Sequence, residues 1–291
     1  MERTRRARAF AKSLWDLASV IHPFPVLVVV LVSAVLLVIA QHGHVDGSFT
    51  SRAVSVVVLS QIAVGAYNDY HDRFYDARMQ PAKPIPSGRV RPQVAGALAL
   101  VAVVLFVPLA ASFGWRAFGL ASVGLAAGLA YDQWLKPTPW SILGYLTGFL
   151  ALITWIWYVT SSLPAWFPLM YLAGPFVLGA VHLAQSFPDI ETDRELGQRG
   201  LAAALGVKGT FLALVALYAA SLLGAVVLSV SYLNYPALVL DSASFIMVAP
   251  VIRLRSRCIA DPSARLGVFY RIAVSIGTLV LATVLTLSRW T

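Results

Sequence analysis

The sequence predicts an all-α, polytopic membrane protein with about nine transmembrane helices around a central cavity. Three observations carry this. Hydrophobic residues make up 59% of the 291-residue chain and charged residues only 12%, where a soluble domain carries roughly 25% charged. Mean hydropathy is +0.77, concentrated in runs of about twenty apolar residues, the length that crosses a bilayer as a helix. Barrel-type alternation is absent, and a bilayer core has no water to satisfy open backbone groups, so helices are the expected solution.

The chain opens with a basic segment, Arg3–Ser19, in which Phe10, Leu14, Trp15 and Leu17 are interleaved. Two readings stand: an interfacial helix on an anionic leaflet, or an ordinary positively charged flank. No cleavable signal peptide is expected, because the basic start runs into aromatic-containing sequence without a small-residue cleavage site. Spans near 22–41 and 50–69 follow. A loop carrying Arg73, Arg78, Lys83, Arg89 and Arg91 leads to spans near 93–111 and 113–131. Lys136 precedes spans near 140–159 and 165–187, and Arg194, Arg199 and Lys208 accompany the entry to spans near 208–230 and 233–252. Arg253, Arg255, Arg257, Arg265 and Arg271 border the last span, near 267–288.

With a cytoplasmic N-terminus, these residues together with Arg3, Arg5, Arg6, Arg8 and Lys12 put 19 of the 22 Lys and Arg inside. Only Arg52, Arg116 and Arg289 fall outside. The positive-inside rule therefore supports the span count and a cytoplasmic-membrane orientation, with Thr291 outside. The same distribution accounts for the net charge of +9, so no nucleic-acid partner is expected. Cys258 is the single cysteine, which excludes intrachain disulfides and thiolate clusters. Without a Ser/Gly-rich linker, residues 1–291 read as one integral-membrane domain.

Of only 13 acidic residues, eight fall in or beside two clusters at the ends of spans: Asp69, Asp72, Asp76, Asp132, Asp189, Glu191, Asp193 and Glu195. Carboxylates beside a bilayer are costly and mark function. On a helix, Asn68, Asp72 and Asp76 share one face at i, i+4 and i+8, with Asp69 about 100° aside. Asp189 and Asp193 repeat the i, i+4 spacing, and the same face extends back to Gln185 and His182. Either cluster alone reads equally as a helix cap or solvated loop. Two on the same membrane side favour Mg²⁺, which takes carboxylate oxygens and shares its shell with substrate phosphates. The paired clusters also hint at a weak internal duplication. Between them, Gln80–Val90 forms a proline-stiffened strap offering Lys83 and Arg89 to phosphate. Lys136 is the only basic residue of its short loop, after Tyr131.

Together these elements resemble the UbiA-type membrane prenyltransferase family. Asn68, Asp69, Asp72 and Asp76 match its NDxxDxxxD motif, and Asp189 and Asp193 match its DxxxD. Lys83 to Val90 is similar to its RPIPSGR(I/V) stretch, with Lys83 for the usual arginine. Tyr131 and Lys136 correspond to its tyrosine–lysine pair, five residues apart instead of four.

The resemblance implies Mg²⁺ at Asn68, Asp72, Asp76, Asp189 and Asp193, with Asp69 in the same ligand group. It implies a polyprenyl diphosphate donor bound near Tyr131 and Gln185, its phosphates clamped by Lys83, Lys136, Arg78 and Arg199. The isoprenoid tail would lie in an apolar groove open to the bilayer. Ionisation would give an allylic cation, captured by an aromatic or other lipophilic acceptor. Quinone-forming relatives carry an acidic residue and a tyrosine where His182 and Gln185 stand, which leaves the acceptor open. His182 reads either as the base for the acceptor or as a polar residue bonded to a neighbouring helix. Trp155, Trp157 and Tyr158 are expected in an interfacial aromatic belt. Two other readings are phosphoribosyl transfer to a polyprenyl phosphate and a cation or lipid transporter. Alcohol phosphotransfer would need a DGxxAR run that the chain lacks.

Overall fold

The computed structural model describes the backbone of residues 2–160 and 163–288, and side chains from Ala11 onward. Arg289, Thr291 and the side chains before Ala11 lie outside the described residues. The helices are α1 (Glu2–Ser19), α2 (Pro23–Ala40), α3 (Gly47–His71), α4 (Arg73–Met79), α5 (Pro92–Ala111), α6 (Trp115–Ala130), α7 (Ser141–Val159), α8 (Pro168–Ser186), α9 (Ile190–Glu195), α10 (Leu201–Ser231), α11 (Tyr235–Arg253), α12 (Arg255–Ala260) and α13 (Pro262–Leu287). A π turn, Tyr131–Leu135, continues α6.

Among the described residues, eight helices are long and apolar enough to cross a membrane. The ninth expected span is α6, whose 16 residues are extended by the π turn. The chain is a multi-pass membrane protein. Helix starts follow elementary rules: proline opens α2, α5, α8, α11 and α13 in the first turn, where its missing N–H costs nothing. Asp46 caps α3 by accepting from the amides of Ser48 and Phe49 at 2.8 and 3.0 Å.

Helices α2, α3, α6, α7, α8 and α13 contact one another in that order, and α13 returns to α2, closing a ring. Outside it, α5 packs on α3 and α6, while α10 and α11 pack on α13. Outward faces stay apolar and exposed, as at Leu100, Val104, Leu212 and Ile246, as expected of a surface solvated by lipid. Because lipid is as apolar as leucine, such helices associate through close packing at small residues. Gly65 on α3 is approached by backbone: a Cβ there would stand 2.7 Å from the Ile21 carbonyl oxygen.

The first segment is helical, with Leu14 and Trp15 exposed and Asp16 buried. Asp16 accepts from Arg89 Nε at 2.8 Å, and Arg89 also donates to the Ala82 carbonyl. Arg89 thus ties the proline strap to α1 instead of offering itself to phosphate. The aromatic belt expected on α7 is also corrected. Trp155 and Trp157 are 1% and 2% exposed. They pack edge-on against Phe113 and Trp166 in the core, because α7 is enclosed on all sides here: Trp155, Ile156 and Trp157 are all buried.

Gly65→Ala is expected to destabilise the fold by about 1–3 kcal/mol, since backbone must move to admit the methyl. Gly119→Ala, which meets open space, is expected to be neutral or slightly stabilising. Thermal unfolding in detergent checks both; equal midpoints would mean the approach of the α1–α2 turn to α3 is soft.

Candidate active site

Helix α3 breaks at Asp72 (φ −79°, ψ 1°) and resumes as α4. The break keeps helical register: the Asp72 amide donates to the Asn68 carbonyl and the Asp76 amide to the Asp72 carbonyl, both at 2.8 Å. Asn68, Asp72 and Asp76 therefore line one wall of a cavity of about 460 Å³. Asp69 does not line it. Rotated away, its carboxylate sits 3.0 Å from His22 Nε2 and 3.2 Å from Lys83 Nζ.

The opposite wall comes from the α8–α9 junction, where the Asp193 amide donates to the Asp189 carbonyl at 2.7 Å. Both carboxylates face the same cavity, with Gln185. Tyr75 crosses between walls, its hydroxyl donating to Asp193 Oδ1 at 2.6 Å. Two further contacts hold α9. Arg265, 1% exposed, grips Glu191 with both guanidinium nitrogens at 2.5 and 2.8 Å and donates to the Cys258 and Ile259 carbonyls. Arg194 donates to the Ala203 carbonyl at 2.7 Å. Its guanidinium fills the kink at Gly206, where φ is +72° and a Cβ would lie 3.1 Å from Nη2.

Lysines complete the cavity. Lys83 donates to Asp76 at 2.8 Å, and Lys136 bonds Asp72. The five-residue step from Tyr131 to Lys136 is absorbed by the π turn. On an α-helix that step rotates a side chain by roughly 140°; here the Lys136 amide donates to the Tyr131 carbonyl at 2.8 Å, an i→i+5 bond that returns both side chains to the cavity. The Tyr67 hydroxyl pins the turn to α3 through Gln133.

Electrostatics follow from crowding. Burial, reinforced by Asp193, pushes Asp189 up to about 6. Burial alone would raise Asp72 too, but the Lys136 ammonium beside it holds it below the usual carboxylate range. Burial works against the charge of Lys136, and Asp72 outweighs it, so the lysine is held above its ordinary value. Asp76 and Asp193 are raised by burial despite Lys83 and Tyr75.

Asn68, Tyr131, Lys136 and Gln185 also line the mouth of an apolar chamber of about 260 Å³. Val56, Phe106, Leu125 and Trp155 form its depth. A third space, about 130 Å³ between α2, α7, α8 and α13, meets the others at Gln185.

Other expected residues lie elsewhere. Arg78 and Arg199 are exposed and line neither cavity. His182 is 1% exposed, bonded through Nε2 to Ser141 Oγ at 2.9 Å and packed against Tyr131 and Tyr145. It stands behind the wall, so of its two readings the helix–helix hydrogen bond is the one observed. Tyr75 escaped the sequence reading, while Asp132 and Arg265 were named there without an individual role. Asp132 had a signal in its place beside Tyr131; Arg265 was hidden among the basic residues of an inner loop.

A profile of the UbiA prenyltransferase family matches residues 26–287. The chain belongs to that family. It is 33% identical over 157 residues to digeranylgeranylglyceryl phosphate synthase of Natronomonas pharaonis, covering 53% of this chain and 56% of the relative. It is 31% identical over 175 residues to the bacteriochlorophyll synthase 33 kDa chain of Rhodobacter capsulatus, covering 53% and 55%. These matches span little more than half the length of either relative. The UbiA homolog from Archaeoglobus fulgidus, solved with GPP and Mg²⁺, shares the fold at TM-score 0.66 and 15% identity, over 92% of this chain and 99% of that one. In this UbiA chain, the five-residue tyrosine–lysine spacing is accommodated by the π turn.

Arg265→Met is expected to release α9. Loss of charged hydrogen bonds worth about 1.5–3 kcal/mol should raise amide exchange over 190–196 at least about tenfold. Hydrogen-exchange mass spectrometry reads this, with residues 68–76 as the internal reference; unchanged protection would mean that the Gly206–Arg194 contact suffices.

Proposed function

We propose that the chain transfers a prenyl group from a polyprenyl diphosphate to a lipophilic acceptor, releasing diphosphate, with Mg²⁺ as cofactor. The observation that carries this is one cavity holding four carboxylates and two lysines that opens at Asn68, Tyr131, Lys136 and Gln185 into an apolar chamber. A charged head and an isoprenoid tail on one molecule have this division. The GPP- and Mg²⁺-bound relative from A. fulgidus and the prenyltransferase family match support the same reading.

The donor set fits Mg²⁺, since Asn68, Asp72, Asp76, Asp189 and Asp193 offer only oxygen. Among the described residues no three His, Cys, Asp or Glu side chains converge to hold an ion by themselves. When bound, Mg²⁺ would offset the diphosphate charge and favour its departure.

The chain's own groups would do the rest. Lys83 and Lys136 would turn from their carboxylates to the phosphate oxygens, so charge is already in place when the allylic C–O bond breaks and its electron pair leaves on diphosphate. Tyr131, at the seam, would offer its ring face to the cation. The chamber walls would exclude water that would otherwise capture it. The acceptor would then form the new bond to the allylic carbon and give up its proton to the released diphosphate. The chain would lie in the cytoplasmic membrane with the N-terminus and cavity mouth inside and the C-terminus outside, the orientation that the Lys and Arg distribution supports.

Purified protein is expected to release diphosphate from geranyl, farnesyl or geranylgeranyl diphosphate with Mg²⁺ and not with EDTA. Asp72→Asn and Asp189→Asn should each cut kcat by more than about a hundredfold, the scale of a lost electrostatic stabiliser, with unchanged unfolding midpoints. Full activity in both variants would defeat the metal assignment. Lys136→Met should bind Mg²⁺ alone at least as tightly as the parent, because Asp72 loses its internal cation, yet bind the donor more than about tenfold more weakly. Titration calorimetry separates the two; parallel losses would mean that Lys136 only holds the fold.

A further inference from the structure

Helices α10 and α11 form a hairpin whose turn lies at the membrane face remote from the carboxylate cavity, since Ala202 and Ala203 at the other end of α10 line that cavity. Near the turn, three buried polar atoms have no hydrogen-bond partner among the described residues: both carboxyl oxygens of Asp241 and the hydroxyl of Ser229. Asp241 is 1% exposed and Ser229 0%. Ser229 is near enough to act on Asp241 electrostatically. Were its hydroxyl to turn, one bond between them would satisfy one carboxyl oxygen and leave the other. The remaining polar neighbours are already paired. Tyr218 bonds Ser244, the Ser244 and Ser275 hydroxyls each donate to the other's carbonyl, the Asn234 amide donates to Thr286, and Ser242 donates to the Leu238 carbonyl. An ionisable group inside a membrane span without a partner from its own chain marks a site.

Asp241 forms part of the wall of a groove of about 340 Å³, with Leu222 and Val226 of α10 and Ser242, Phe245 and Ile246 of α11. Phe245 and Ile246 are exposed on the outward face, so the groove opens to lipid. Its chemistry is ordered along the membrane normal. Exposed Tyr232 and Tyr235 mark the interface at the turn, and Asp241 lies six residues in from Tyr235, about 9 Å along the helix. From there Val226, Leu222, Phe245 and Ile246 continue toward the bilayer centre. We propose that this groove binds a single-headed lipid alcohol, whose hydroxyl donates to Asp241 and accepts from Ser229 while its chain lies along the apolar residues. The interfacial zone is only about 5–7 Å thick on each side, so a group meeting Asp241 lies beneath it. A small neutral head reaches that depth, and a phosphate-bearing one is held above it by hydration. A hydroxyl both donates and accepts, so one group serves the carboxyl and the serine together. An ammonium would bring a charge into hydrocarbon, and an apolar helix of another protein would leave all three atoms unpaired. The site is separate from the carboxylate cavity and does not depend on prenyl transfer.

The test uses the full chain in dodecylmaltoside, read by native mass spectrometry and thermal unfolding, with oleyl alcohol and oleyl methyl ether as probes. The parent should bind the alcohol at least about fivefold more tightly than the ether, the scale of one net hydrogen bond, and be stabilised by it. Asp241→Leu should unfold at a higher temperature without ligand, because an unpaired buried polar group is gone. It should also bind the two probes within about twofold of each other. Ser229→Ala, which keeps Asp241, should weaken alcohol binding at least about threefold, and it checks the site even where the leucine variant fails to fold.

An alcohol preference that survives in both variants would overturn the proposal, as would a parent that binds the two probes equally or prefers oleylamine. A lower unfolding midpoint for Asp241→Leu would assign the carboxyl to the fold and overturn it too. A parent dimer that Asp241→Leu dissociates would give the groove to a second copy of the chain instead.

Discussion

Four carboxylates around one half-buried cavity would repel one another strongly, and the rest of the structure answers that repulsion. Coulomb forces between like charges grow as water is excluded, so Asp72, Asp76, Asp189 and Asp193 hold together only with positive or donating partners. Lys136 sits on Asp72, Lys83 on Asp76, and the Tyr75 hydroxyl on Asp193. Asp189 feels Lys136 and Lys83 only from a distance, and burial with Asp193 pushes it up to about 6. Internal cations thus keep the site compact, and the same cations are the groups a diphosphate would attract. On the proposed reading, stability without substrate and affinity for substrate would draw on the same two lysines.

The helical ring exists to bring the clusters face to face. One sits at the end of α3 and the other at the end of α8, about 120 residues apart in sequence and joined only by helices that cross the bilayer in between. Each is followed by a short helix, α4 or α9, that turns its carboxylates over the cavity. The second is secured by Arg265 from α13 and by the Gly206 kink of α10, so elements outside the catalytic wall fix its position. Rigid placement of this kind is what preorganised charge requires.

The seam between polar cavity and apolar chamber is a small set of residues with two-sided contacts. Asn68 donates both to Asp72 and to Asp132, and Lys136 lines both spaces. Its position depends on the π turn. A regular helix would have pointed either Tyr131 or Lys136 away, so it is the local irregularity that places both side chains on one face.

The spans, their number and the clustering of carboxylates were legible in the sequence, because apolar length and the rarity of membrane charges are linear properties of the chain. The i, i+4 spacing likewise fixed which of Asn68, Asp69, Asp72 and Asp76 share a face, and Asp69 does turn away from the cavity. Sequence alone did not sort basic residues by task. Lys83, Arg78, Arg89 and Arg199 were all expected near phosphate and Arg265 only as an inner-leaflet charge, yet Lys83 faces the cavity, Arg89 ties α1, Arg265 clamps α9, and Arg78 and Arg199 are exposed away from it. Nor did it assign Trp155, Trp157 or His182, whose roles depend on which neighbouring helix faces them. Composition and periodicity determine what each segment is, since they act through the backbone and the bilayer. Which side chain meets which is decided by packing between helices distant in sequence, and only the tertiary structure contains that.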